Sequence, residues 1–206
     1  MNLVLAVASL VAFVAYFVGL IVLHFLPTGY HALSNTISDY SVGRFSKLAR
    51  WSTTVNSVGI LLLLGVLIAV VGVPPLTSNG LIWLGILALT RLAMVVFLTD
   101  LSDQKRTLRG IIHVILAVTS FVAGVSAVGI LTKNIRLFVV GNSVYPFLRI
   151  LAEISTPLLI VLLVVTLFPS FRRVFGLIER LFLLTINVWL LMVSGLVSAY
   201  AVGLLH

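Results

Sequence analysis

The chain has 206 residues, 61% of them hydrophobic and 9% charged, with a net charge of +8 and a mean hydropathy of +1.27. A soluble domain sits near half apolar and a quarter charged, and no soluble fold of this length hides so much apolar surface. Cysteine is absent, which excludes disulfides, thiolate metal sites and iron–sulfur clusters, and the basic balance does not point to nucleic acid, because no basic domain lies outside the apolar runs.

Six apolar runs follow in chain order. The first, residues 3–26, stops at Pro27; it has no basic leading segment and is too long for the apolar core of a signal peptide. The second covers residues 48–72 and ends at Val73-Pro74-Pro75, and the third covers 80–98. The fourth covers 110–131, the fifth 146–168 and the sixth 176–205. Each is long enough to cross a hydrocarbon core of about 30 Å at about 1.5 Å per residue. Uninterrupted runs of this kind suit helices rather than barrel strands, which alternate in short segments. The expectation is an all-α polytopic membrane bundle of six transmembrane helices, a single integral membrane domain over residues 1–206.

Lys and Arg set the expected orientation. The connections after the first, third and fifth runs carry nine of them: Arg44, Lys47, Arg50, Lys105, Arg106, Arg109, Arg172, Arg173 and Arg180. The opposite side carries Lys133, Arg136 and Arg149, and Arg91 lies inside the third run. The positive-inside bias then puts the richer side in the cytoplasm, with both termini on the non-cytoplasmic side of a cell membrane.

Polar residues within spans are costly, so those that remain mark sites. They concentrate toward the expected cytoplasmic side. His24 ends the first run, and the connection that follows is dense in polar groups, with His31, Ser38, Asp39 and Tyr40. The third run contains Arg91 and ends in Thr99-Asp100; the fourth opens with Thr107, Gly110 and His113; the sixth opens with Glu179 and Arg180. In the fourth run His113, Ala117, Ser120, Gly124 and Ala127 recur at helical spacing, a small, polar face suited to a bundle interior. Arg180, Asn187, Leu191, Ser194 and Ser198 form a comparable seam in the sixth, beside a row of Gly195, Ala199 and Gly203 that reads as close helix packing. On the other side Arg149 and Glu153 sit one turn apart and suit a mutual ion pair, and Pro157 is expected to kink the fifth helix.

Several roles compete for these residues. Asp39 and Asp100 are candidates for catalysis, ligand binding or helix capping, and Asp100 for pairing with Arg91; His113 is a candidate acid/base, ligand or buried structural imidazole. One function class is an enzyme or binding protein for lipid headgroups, with Arg91, Arg106 and Arg109 holding phosphate and His113 with Asp39 or Asp100 doing acid/base or metal chemistry. A second is a haem or metal protein using His24 and His113, disfavoured by four histidines in all and no paired-histidine spacing. A third is a small transporter, disfavoured because the midplanes read as mostly Leu and Val. A non-catalytic interaction or regulatory role remains beside them.

Short motifs across most of the chain resemble a large prokaryotic family of six-span membrane proteins catalogued as a domain of unknown function, family nine hundred and ninety-eight. They are Ser38-Asp39-Tyr40 with Gly43, Phe97-Leu98-Thr99-Asp100, Thr107 with Gly110 and His113, Gly176-Leu177-Ile178-Glu179-Arg180, and Trp189. The second motif departs from the family's Phe-Pro-x-Asp, losing its proline. The resemblance implies six helices and a shared motif set at the cytoplasmic side, and no established reaction. Together these readings predict a polar pocket at the cytoplasmic interface. Asp39, Asp100 and His113 are its candidate catalytic groups, and Arg91, Arg180, Glu179, Ser38, Tyr40 and Thr107 its candidate ligand-binding groups. His24 and His31 lie nearby, and the expected occupant is an anionic lipid headgroup. No cofactor and no oligomeric state follow from the sequence.

Overall fold

In hydrocarbon no water is present to bond a bare peptide group, so long apolar runs satisfy their backbone internally as helices. The computed structural model describes residues 3–71, 75–101, 105–135 and 143–202. Six helices run in order: α1 (Leu3–Phe25), α2 (Ser46–Val71), α3 (Pro75–Val96), α4 (Leu108–Ile135), α5 (Tyr145–Leu167) and α6 (Phe175–Ala201). Short 3₁₀ turns at Ser38–Ser41 and Pro169–Val174 lie between α1 and α2 and before α6. All six helices are long and apolar enough to cross a membrane, and the chain is a multi-pass membrane protein. Their outward faces carry the large apolar side chains that lipid solvates; on α1 these include Val4, Val11, Val18 and Phe25.

Consecutive helices pack against one another and α6 returns to α1, which closes the ring; α6 also touches α2 and α4. It is the most buried of the six, and α5 the least. Phe182, Ile186, Trp189, Leu190 and Val193 of α6 form the spine of the core, against Phe13, Ile60, Leu63, Leu84, Leu131 and Leu148 from the other five helices. Polar pins fix the register. Trp189 Nε1 donates to Thr132 Oγ1 at 2.8 Å, and Thr132 donates back to Val128 O at 2.7 Å. Ser194 donates to Ser9 Oγ at 2.9 Å, and Ser9 donates to Gly59 O at 3.0 Å, which joins α6, α1 and α2.

The α4 seam faces inward as its spacing predicts: His113, Ser120, Gly124 and Ala127 are buried and Ala117 half-buried. Helix α4 runs a turn past its apolar stretch, to Ile135, because Thr132 and Asn134 return their polar groups to carbonyls of their own helix. One expectation differs from the structure. A Cβ built on Gly195 meets nothing within 4 Å, so the small row of α6 makes no close helix contact there; Gly203 and Arg136 lie outside the described residues. Pro157, where a kink is expected, stands inside helix α5, which runs on either side of it as one element.

The Trp189–Thr132 bond makes a quantitative prediction. Trp189→Phe and Thr132→Val each lower stability by about 1 kcal/mol, and the double variant loses less than their sum because both remove one bond. Thermal unfolding in mild detergent measures the cycle.

Candidate functional site

The end of the bundle where α1, α3 and α5 finish carries most of the Lys and Arg and is called the basic end below. Here the α1–α2 connection folds over the N-terminus of α6. Gly176 makes this approach feasible: a Cβ there would overlap the backbone of Asn35 and Ala32. Leu177 N donates to Leu33 O at 3.1 Å. Arg180 completes the clamp. Its Nη1 donates to Ala32 O, Asn35 O and Gly176 O at 2.8, 2.5 and 2.9 Å, its Nη2 to Tyr40 Oη at 3.2 Å and its Nε to His24 Nε2 at 3.0 Å. His24 donates from Nδ1 to Leu20 O at 2.7 Å, so both ring nitrogens are engaged. Within the connection Asp39 Oδ2 accepts from Thr36 N at 2.8 Å and Asn35 Nδ2 at 3.2 Å, while Asp39 N donates to Thr36 Oγ1 at 3.1 Å. This is the reciprocal geometry of a capping box.

A second junction joins α3 to α4. Asp100 accepts from Thr107 N at 2.7 Å and from Thr107 Oγ1 at 2.8 Å, and Thr107 Oγ1 accepts from Gly110 N at 3.1 Å. Gly110 is needed because a Cβ there would overlap the Asp100 carboxylate. The last carbonyls of α3, which lack helical donors, take side chains instead: Arg109 donates to Val96 O, at 2.9 Å from Nε, and His113 donates from Nδ1 to Phe97 O at 2.7 Å. With Nδ1 carrying the proton, the neutral ring presents Nε2 as an acceptor. The two bonds to Thr107 hold the Asp100 carboxyl below the ordinary carboxylate range.

Deeper in the bundle, Arg91 is 5% exposed. Its Nη1 donates to the side-chain oxygens of Asn56 and Asn187, the latter at 3.1 Å. Asn56 Nδ2 also donates to Asn187 Oδ1 at 2.9 Å, and Asn187 Nδ2 donates to Leu183 O at 2.6 Å. The three side chains knit α3, α2 and α6. Arg91 therefore does not pair with Asp100, which looks instead to Thr107. The geometry of helices explains the direction. Side chains lean toward their own N-terminus, so Arg91 leans from the basic end toward mid-membrane. By the same rule Glu179 leans the opposite way, and its Oε2 accepts from Ile37 N at 2.7 Å in the folded-over connection.

Between these groups lies a small, partly open cavity of about 60 Å³. Ser38 and Ile37 roof it; His113, Ala117 and Ser120 of α4, Arg91 of α3, Asn56 and Thr53 of α2, Tyr16 of α1 and Glu179 of α6 form its walls. The buried hydroxyl of Ser120 has no hydrogen-bond partner among the described residues. Of the residues singled out by sequence, Arg91, His113, Glu179 and Ser38 line this cavity. Asp39, Asp100, Tyr40, Thr107 and Arg180 lie in the two junctions around it. His31 stands at the outer edge of the connection, its backbone N–H bonded to Asn35 Oδ1 at 3.0 Å. His24 faces Arg180 rather than His113, and among the described residues no three His, Asp or Glu side chains group as metal donors. Sequence reasoning passed over Asn56 and Tyr16, although a lone amide inside an apolar helix was a readable signal. Asn56, Asn187 and Ser120 add polar groups to midplanes that read as mostly Leu and Val, each roughly 15–18 Å from the basic-end terminus of its helix.

A second hollow adjoins the first. Phe17, Leu20, Ile21 and Phe25 of α1 and Leu184 of α6 line an apolar groove of about 260 Å³, with His24 and Arg180 at its basic end. Tyr16, Ile37 and Leu183 line both hollows and form the wall between them.

A family model described as protein of unknown function (DUF998) matches residues 10–196. No curated protein matches the chain, and no solved structure does.

The Asp100 junction gives a pH prediction. Its carboxyl titrates lower folded than unfolded, so the junction's contribution is complete above the unfolded value of about 3.9 and is lost as pH falls through the lower folded value. Asp100→Asn destabilises the α3–α4 junction at neutral pH, and its difference from the parent protein closes on acidification. Hydrogen exchange of the α3–α4 segment against pH reads this directly.

Proposed function

The chain belongs to the DUF998 family, and we propose that it binds an anionic lipid, with the anionic head group opposite Arg91 in the interhelical cavity and an acyl chain in the groove between α1 and α6. The observation that carries this reading is the state of Arg91. It is a buried guanidinium in a membrane-spanning helix, and its bonds run to neutral amide oxygens. Among the described residues the single ion pair within 4.0 Å is Arg149–Glu153, far along the chain on α5. A cation in such a place is costly without a counter-charge. The bonds of Arg91 all leave from Nη1, so Nε and Nη2 remain to serve a bidentate acceptor such as phosphate or carboxylate. Ser120 Oγ supplies a further unengaged group on the same wall.

A soluble anion has the same head-group chemistry. The apolar groove favours a lipid, since it shares Tyr16, Ile37 and Leu183 with the cavity and is lined by the exposed apolar Ile21, Phe25 and Leu184 of α1 and α6. His113 Nε2 and the Glu179 carboxyl would meet the head group on the side of the basic end. Asp39 and Asp100 act in this reading as positioning groups, through the caps that hold the roof and the α3–α4 junction. The basic end is the cytoplasmic side of a cell membrane, with both termini opposite, because it carries nine of the thirteen Lys and Arg.

Native mass spectrometry of protein from bilayers containing phosphatidylglycerol tests the reading. The parent protein retains lipid mass, and Arg91→Gln lowers retention about tenfold. Leu20→Trp, which fills the groove, lowers lipid retention but leaves binding of inorganic phosphate unchanged. Retention indifferent to Arg91→Gln defeats the proposal. Loss with Arg91→Gln alone, with phosphate bound equally well by all other forms, assigns the site to a soluble anion.

A further inference from the structure

Helix α5 carries charge on its lipid-facing surface. Arg149 Nε bonds Glu153 Oε1 at 2.7 Å, the pair expected from their spacing, yet the two side chains are 65% and 60% exposed. The helix spans 23 residues, about 34 Å, which barely exceeds a hydrocarbon core of about 30 Å. Glu153 lies eight residues past Tyr145, about 12 Å along the axis, and so about 10 Å inside the hydrocarbon. Arg side chains near a helix end reach the interface; a carboxylate at this depth cannot. Pro157, one turn on, has no N–H and deprives the Glu153 carbonyl of its helical donor. Thr156 is exposed beside it. Lipid chains satisfy none of these groups.

The same face continues as Ile150, Ile160, Val164 and Leu167, all exposed, and α5 is the least buried of the six helices. We propose that this face is the contact between two copies of the chain, related by a two-fold axis along the membrane normal. The charges argue for a second copy over an unrelated partner. Two parallel α5 helices bring Arg149 and Glu153 of each protomer against Glu153 and Arg149 of the other, an alternating ring of four charges that is complementary to itself. Such a ring fixes register where apolar packing alone would let the helices slide. The contact lies away from the cavity of α1, α2, α3, α4 and α6, so this inference stands apart from the lipid reading.

The absence of native cysteine makes the test clean. In membranes, Ile160→Cys forms a disulfide-linked dimer under mild oxidation, whereas Val114→Cys on the lipid face of α4 does not. Adding Glu153→Arg lowers the yield about tenfold, and Arg149→Glu does the same. Co-expressing the two charge variants, each with Ile160→Cys and a different tag, restores a mixed dimer, which also shows that both still fold. Yields at position 160 no higher than at 114 overturn the proposal. So do yields indifferent to charge, or a mixed pair that stays apart.

Discussion

Hydrocarbon offers no hydrogen bonds, and each polar group carried into the bundle has to find its partner in protein. That constraint organises the structure. Ser9, Ser194 and the Gly59 carbonyl close on one another between α1, α6 and α2. Trp189 and Thr132 do so between α6 and α4. Asn56, Asn187 and Arg91 do so between α2, α6 and α3. Apolar packing alone specifies a bundle weakly in a membrane, because lipid tails are as apolar as leucine. The polar pins are what give these helices one register. Helix α6, which takes part in all three, is accordingly the most buried.

The sequence made the architecture legible because membrane thickness sets span length and composition sets burial. It also made one depth legible: the polar residues near the basic end do gather there. What it could not supply was their partition. Asp39 and Asp100 look like active-site carboxylates in a list of residues, but each is engaged by hydroxyl and amide groups within a few positions of itself. His113 and Glu179 look equally local, yet each turns across the bundle, to Phe97 and to Ile37. Chain neighbourhood cannot distinguish a cap from a cavity wall when both use the same residue types. Glycine carries part of the missing information. Gly110 and Gly176 stand in motifs that invite attention for their charged members, while the space each leaves empty is what admits the Asp100 carboxylate and the α1–α2 connection.

Side-chain lean decides the rest of the site. Arg91 and Glu179 line one cavity, a guanidinium and a carboxyl, and a reading by depth alone would pair them. Helix α3 descends toward the basic end and α6 rises from it, so their side chains lean in opposite directions along the membrane normal. The carboxylate reaches down to the connection at the basic end and the guanidinium up to the amides nearer mid-membrane. The cavity is the volume left between them. A ligand with one anionic group and a neighbouring hydrogen-bond donor would meet the guanidinium at one end and the Glu179 carboxyl at the other.

Unmet polar groups among the described residues include the buried hydroxyl of Ser52 on α2, and two further places stand out: the cavity wall of Arg91 and Ser120, and the lipid face of α5 around Glu153. They differ in kind. The first is concave and lined at its deep end by a cation, which suits a small anionic group. The second is convex, exposed along a whole helix and carries both signs in equal number, which suits a surface that meets its own copy. In the two readings proposed above, the unmet groups of these two places stand where another molecule would meet them. The shape and sign of each unmet set then distinguish a ligand from a partner.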